Sequence, residues 1–159
     1  MPSGVGHITV ERPRTAAIHV SEVEVDMLLG TVRVLRVWGA LAAGRIVVPQ
    51  LARSQCYGGV IQGIGFALYE QRQHDPTTGL VLTTGLEDYH IPGIGDVPEI
   101  NIHFFEEGFE QVRDAAVGLG ELSTLAVAAS IGNAVFHASG WRPRTLPIRP
   151  SDVVAGMRP

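Results

Sequence analysis

Alternating apolar and polar residues in the first third of the chain predict a β-hairpin. Residues 15–26 alternate, but the parity of the apolar positions changes near Ser21, which indicates a strand with a β-bulge at that point. The run 31–38 is rich in β-branched residues and alternates again, which predicts the return strand. Three further short strands are predicted at residues 44–48, where Pro49 ends the strand, and at residues 80–84 and 99–106.

Two segments in which apolar residues recur with a helical period predict two helices rich in small residues. The first covers residues 55–71, and the second covers residues 121–138 with Gly140 as its C-terminal stop. Ser151 is the predicted N-cap of a short helix near the end of the chain. Together these elements predict an α+β fold of short, mainly antiparallel strands packed with two helices rich in glycine and alanine.

The composition is typical of one globular domain with an unusually apolar surface. The chain has 159 residues, of which 45% are hydrophobic and only 18% are charged, so we expect part of its surface to contact a partner. A net charge of -4 excludes a nonspecific nucleic-acid binder, which needs a basic face. No apolar run reaches the roughly 18 residues of a membrane span. The start also lacks the apolar core of a signal peptide, so the expected location is the cytoplasm.

Metal coordination by the side chains of this chain is not expected. Cys56 is the only cysteine, and neither a C-x-x-C nor an H-E-x-x-H spacing occurs. The sequence therefore predicts no metal ligands of its own.

The first predicted helix contains interior glycines at Gly58, Gly59, Gly63 and Gly65. Each costs about 1 kcal/mol relative to alanine in a helix interior, so their presence needs a reason. One explanation is close packing, because Gly59 and Gly63 lie on one side of a helix and leave a smooth groove for another element. The other explanation is a ligand, because glycines at a helix start let backbone N–H groups approach an anion.

Glu121 follows a turn flanked by glycines and begins the second predicted helix. An acidic residue in the first turn of a helix interacts favourably with the helix dipole, and such residues are common. A carboxylate held at a buried helix start is also a suitable general base. The residues alone leave both explanations open.

A succession of segments resembles the C-terminal part of the molybdopterin-binding large subunit of the xanthine dehydrogenase and aldehyde oxidase family. The segments are, in order, EVEVD, GRIVVPQL, QCYGGVIQGIGFALYEQ, DPTTG, DYHIPGIGDVPEI and GLGEL. The resemblance covers about residues 16–155. It implies that residues 1–159 form the C-terminal portion of a molybdopterin cofactor-binding domain.

The resemblance also implies roles for individual residues. Glu121 is similar to the catalytic glutamate of the family, which acts as a base, and Gln55 is similar to the glutamine that hydrogen-bonds the cofactor. Four glycines are implied to lie close to the cofactor, namely Gly58, Gly59, Gly118 and Gly120.

The implied activity is that of a molybdenum hydroxylase, which oxidises an aldehyde or N-heterocycle with water as the oxygen source. The implied cofactor is molybdopterin, with its cytosine dinucleotide form as one option. The implied partners are the upstream part of the molybdopterin subunit and subunits that carry iron-sulfur clusters and FAD, with a small molecule as substrate. The alternative is a non-catalytic interaction or scaffold module, since Ala42, Val48 and Val117 stand where the family usually has polar residues.

Overall fold

The computed structural model describes residues 15–157, which form three strands and three α-helices. The elements are β1 Ala16–Val25, β2 Val32–Ala42, α1 Pro49–Leu68, β3 Glu99–Phe105, α2 Val127–Ser139 and α3 Pro150–Gly156. The predicted α+β fold, with strands packed against two helices rich in small residues, is confirmed.

The predicted hairpin forms β1 and β2, which pair antiparallel. Its turn is closed by Asp26, whose carboxylate accepts hydrogen bonds from the N–H groups of Leu28 and Leu29, each at 2.8 Å. The bulge lies between Glu22 and Val23, next to the predicted place. β3 pairs with β2 in parallel, so the sheet has the order β1-β2-β3 and one pairing of each kind.

The core lies between one face of this sheet and the helices α1 and α2. Its fully buried side chains come from all of these layers and include Val37, Leu41, Val60, Ile64, Val127, Ile131 and Val135. Burying such side chains supplies most of the stabilisation of the fold.

Two of the strand predictions, for residues 44–48 and 80–84, are wrong, because both segments are loops in the structure. In residues 44–48, Gly44 makes a single bridge to Ala116. In residues 80–84, Val81 makes a single bridge to His74. Apolar and β-branched composition favours a strand, but a strand also needs a continuous partner, which neither loop has among residues 15–157.

The predicted start of the first helix is also wrong, because α1 begins at Pro49 rather than at residue 55 and ends at Leu68. Proline suits the first position of a helix, since its φ is already helical and its missing N–H has no intrahelical role there. Pro49 therefore starts a helix instead of ending a strand. The same reason places the start of α3 at Pro150, so its N-cap is Arg149 and not Ser151.

The second helix is shorter than predicted, because α2 begins at Val127 rather than at Glu121. The residues between them form successive turns, in which the N–H of Thr124 donates to the carbonyl of Glu121 at 3.0 Å. The predicted stop is confirmed: Gly140 has a φ of 73° and its N–H donates to the carbonyl of Phe136.

Within residues 15–157, no helix is both long enough and apolar enough to cross a membrane.

Candidate functional site

A cleft of about 540 Å³ lies between α1 and the turns that precede α2. Its lining residues are Leu51, Ser54, Gln55, Gly58, Gly59, Gln62, Gly120, Glu121 and Thr124. Five of the six site residues predicted from the sequence therefore meet here. The sixth, Gly118, is exposed in the chain that leads to the cleft and does not line it.

Gln55 joins the two walls of the cleft. Its side-chain Nε2 donates a hydrogen bond to the carbonyl of Gly120 at 3.1 Å, across 65 positions of sequence. Among residues 15–157, no hydrogen-bond partner occupies the side-chain oxygen of Gln55. One end of the amide thus positions the turn that carries Glu121, and the other end is available to a ligand.

The close-packing explanation is correct for two of the helix glycines. A Cβ added at Gly59 would lie 2.8 Å from the Cβ of Ser123, and one added at Gly63 would lie 2.5 Å from the Cβ of Val127. Both distances are shorter than real side chains tolerate, so α1 can approach the second wall this closely only because these positions are glycine.

Gly58 and Gly120 have different surroundings. A Cβ added at either position would meet no atom within 4 Å. Packing therefore does not explain these glycines, and both border the open cleft. The expectation that glycine N–H groups at a helix start bind an anion is wrong for Gly58, because α1 begins at Pro49 and the N–H of Gly58 lies in the helix interior.

Glu121 lies in the turns before α2, and its side chain is exposed to the cleft. The prediction that it occupies a buried helix start is wrong, because the first turn of α2 begins at Val127. The helix dipole acts mainly within the first turn, so it does not explain this carboxylate. The position of Glu121 in a cleft with two amide side chains is consistent with the second explanation, a proton acceptor.

Ser123 links the two walls of the cleft at its buried side. It is fully buried, and its Oγ lies 3.5 Å from the carbonyl oxygens of both Gln55 and Gly120. This hydroxyl and the contact with Gly59 fix how far Gln55 lies from the turn of Glu121. No local pattern in the sequence indicated this role, because Ser123 acts through residues far away in the chain.

Four further residues line the cleft that were not among the predicted site residues: Leu51, Ser54, Gln62 and Thr124. A signal existed for three of them, since Leu51, Ser54 and Gln62 recur with Gly58 at helical spacing on one face of α1. That signal requires a helix that begins at Pro49. Thr124 had no such signal, and its Oγ1 lies 3.4 Å from the Oε1 of Gln62.

Cys56 is adjacent to Gln55 but points away from the cleft into the core, where it is fully buried. Removal from water raises the pKa of its thiol to about 11, so the group remains protonated at neutral pH and is a poor nucleophile. Among the described residues, His, Cys, Asp and Glu side chains form no group of three or more that could hold a metal ion.

Known proteins match this chain in sequence. A family model described as the molybdopterin cofactor-binding domain matches residues 6–98. The aldehyde oxidoreductase molybdenum-binding subunit of Escherichia coli K12 is 38% identical over 136 residues, which cover 84% of this chain and 18% of that protein. The xanthine dehydrogenase molybdenum-binding subunit of Escherichia coli O157:H7 is 34% identical over 142 residues, which cover 89% of this chain and 19% of that protein.

A solved structure matches it in fold. The aldehyde oxidoreductase from Desulfovibrio desulfuricans superposes with a TM-score of 0.82 at 30% sequence identity, covering 91% of this chain and 16% of that one. The resemblance noted in the sequence is confirmed by these similarities. The chain spans less than a fifth of the length of these relatives.

Proposed function

We propose, because this chain belongs to the molybdopterin cofactor-binding family of molybdenum oxidoreductases, that it forms one wall of the active site of a molybdenum hydroxylase. The proposed reaction oxidises an aldehyde or an N-heterocycle with oxygen from water. The observation that carries the proposal is the cleft, in which Gln55, Gly58, Gly120 and Glu121 meet. Two pairs of residues about 65 positions apart in the sequence share one open, polar surface.

The lining of the cleft suits the pterin part of the cofactor. Open space over Gly58 and Gly120 allows a flat ring system to approach the backbone closely. The side-chain amides of Gln55 and Gln62 offer both donors and acceptors, as the edge of such a heterocycle requires. Glu121 is the one charged residue among the described lining residues, so the phosphate part of the cofactor has to be bound by other residues of the assembly.

Glu121 is the proposed general base. When bound, the cofactor supplies the molybdenum centre that takes two electrons from the substrate. The carboxylate of Glu121 accepts the proton that water releases as its oxygen is transferred. Gln55 positions this carboxylate, because its amide holds the carbonyl of Gly120, the residue immediately before Glu121.

The rest of the active site comes from outside this chain. The cleft is an open surface between one helix and one series of turns, whereas catalysis requires a pocket from which water is excluded. The upstream part of the molybdenum subunit supplies the other walls, and iron-sulfur and FAD subunits carry the electrons away. The proposed location is the cytoplasm. The proposed cofactor is molybdopterin in its cytosine dinucleotide form, so acid hydrolysis of the purified assembly should release cytidine monophosphate.

The scaffold alternative is not favoured. It was based on Ala42, Val48 and Val117, none of which lines the cleft. The residues to which the chemistry is assigned, Gln55 and Glu121, lie together in the cleft, and a module without activity has no need of that arrangement.

Replacement of the proposed base is the decisive experiment. In the assembly purified from the native host, we expect Glu121→Gln to lower turnover at least a hundredfold, the usual minimum for loss of a general base. Metal analysis should show unchanged molybdenum content. Glu107→Gln is the matched control, because Glu107 is also exposed but lies outside the cleft. Full turnover in Glu121→Gln, or an assembly without molybdenum, would refute the proposal.

A further inference from the structure

The face of the sheet opposite the buried core is exposed and apolar. We call it the outer face; its large apolar side chains are Ile18 and Val20 of β1, Trp38 of β2 and Phe105 of β3. Their exposed fractions are 69%, 56%, 39% and 53%. Residues of the same strands that point to the other face, such as Val37 and Leu41, are fully buried. The two faces thus have similar chemistry but differ in whether a second layer covers them.

Strand register makes the outer face one continuous patch. Val20 lies opposite Trp38, and Ile18 lies opposite Ala40, which lies between Trp38 and Ala42 on β2. Ala42 lies beside Phe105 on the neighbouring strand. Side chains on adjacent strands at such positions are in contact distance of one another. Exposed apolar side chains scattered singly over a protein are normal, but a contiguous group of this kind marks an interaction surface.

The border of the patch is polar. At one end Arg36 and Glu22 form an ion pair at 2.6 Å, and the guanidinium of Arg36 also lies 5.3 Å from the centre of the Trp38 ring. An apolar centre with a charged margin is the usual anatomy of a protein interface. A groove of about 350 Å³ continues the patch from Ile18, Val20 and Trp38 to Tyr57 of α1.

Strand β1 carries a second sign of a missing neighbour. His19 is only 7% exposed, yet neither ring nitrogen has a hydrogen-bond partner among the described residues. Buried polar groups almost always have partners. His19 points to the face opposite Ile18 and Val20, into a groove between β1 and α2. Because β1 is an edge strand, a polypeptide on the outer face provides this partner only if it also wraps around the β1 edge.

The relatives indicate what covers the outer face. In the Desulfovibrio desulfuricans enzyme this fold is 16% of a single chain, so most of that chain lies outside the part that matches. A sheet with helices on one face needs a second layer wherever its other face is apolar. The remaining part of the same subunit is the polypeptide that this fold always accompanies in those relatives.

We infer that the outer face is the surface by which this chain docks against the remainder of the molybdenum subunit, the part of the relatives that it does not match. The inference rests on the proposed function in one respect, that such an assembly exists. It adds the surface and its anchor residues, among them Trp38 of the middle strand, since tryptophans within apolar patches commonly dominate interface energies.

Photo-crosslinking in the native assembly tests the inference directly. Benzoylphenylalanine is placed at position 38 in one variant and at position 28 in the control, because Leu28 is 84% exposed but lies in the hairpin turn outside the outer face. We expect position 38 to crosslink at least tenfold more than position 28. The crosslinked peptide should belong to a sequence that aligns with the unmatched part of the relatives.

A second pair of variants measures the strength of docking. The double variant that combines Val20→Asp and Trp38→Asp should reduce co-purification of the remaining subunit at least tenfold. The control variant Leu28→Asp should leave co-purification unchanged. Crosslinks only to a second copy of this chain, only to an iron-sulfur or flavin subunit, or to nothing would each overturn the inference.

The outcomes separate this inference from the proposed function. Crosslinking to the remaining subunit in an assembly without molybdenum would leave the docking surface standing and remove the proposed activity. An assembly that contains molybdenum and turns over, but gives no crosslink from position 38, would leave the proposed activity standing and overturn the docking surface.

Discussion

Two flanks of α1 both contain glycine, but one flank is packed against the neighbouring wall and the other is open to the cleft. On the packed flank, Gly59 and Gly63 contact Ser123 and Val127 so closely that no side chain fits. On the open flank, Gly58 adjoins the cleft and has free space where a side chain would lie. Neighbouring glycines in one helix therefore differ in their surroundings, since Gly59 and Gly63 are required by close packing and Gly58 borders an open cleft.

This contrast shows why the glycine pattern has more than one function. The packed flank sets the distance between the two walls of the cleft, and the open flank supplies its surface. Each role predicts a different response to the same substitution, so the flanks can be tested against each other.

Thiol chemistry should give the largest difference between buried and open positions of α1. Burial raises the pKa of Cys56 from 9.0 to about 11, which lowers the reactive thiolate roughly a hundredfold at neutral pH. A cysteine introduced by Ser54→Cys faces the cleft. We expect a maleimide to label the new thiol at least a hundredfold faster, measured by intact mass against time. Two labels added at equal rates would contradict the burial of Cys56.

Gly59→Ala should destabilise the protein. Overpacking a full interior costs about 1–3 kcal/mol, while alanine recovers about 1 kcal/mol of helix propensity. Because the contact with fully buried Ser123 is severe, we expect a net loss of up to about 2 kcal/mol in the free energy of unfolding, measured with denaturant. Adding Ser123→Gly should restore part of the loss; strictly additive effects would show that the two residues do not interact.

Gly58→Ala, one position away, should have the opposite sign. With no atom within 4 Å of the added Cβ, only the helix propensity remains, and we expect a gain of up to about 1 kcal/mol in the free energy of unfolding. In the assembly the same variant should lower molybdenum content, because the methyl group enters the cleft. Destabilisation comparable to that of Gly59→Ala would remove the distinction between the flanks.

The smallest effect concerns His19, which is buried but unpartnered. Burial lowers the pKa of His19 below its ordinary value, so between that lowered pKa and about 6.5 the unfolded chain binds more protons than the folded one. The free energy of unfolding should therefore decrease as the pH falls below about 6.5. His19→Leu should flatten this part of the pH dependence, measured by denaturant unfolding at a series of pH values, and an unchanged slope would contradict the role of His19.

Part of the fold could be predicted from the sequence because it depends on neighbouring residues. The hairpin of β1 and β2, its bulge and the stop of α2 at Gly140 all have local signals and are confirmed. The strand predicted at residues 44–48 is wrong, because Pro49 does not end a strand but is the first residue of α1. A proline marks a boundary, but only the packing of the following residues decides on which side the helix lies.

The sequence by itself determined the family, the α+β class and most of the candidate site, including Gln55 and Glu121. Those features depend on residue types, order and periodicity, which are visible along the chain. Only the tertiary structure decided that Gly59 packs while Gly58 stays open, that Ser123 joins the walls and that Glu121 is exposed in a turn. Each of these depends on contacts between segments about 65 positions apart, and local propensity carries no information about which distant surfaces meet.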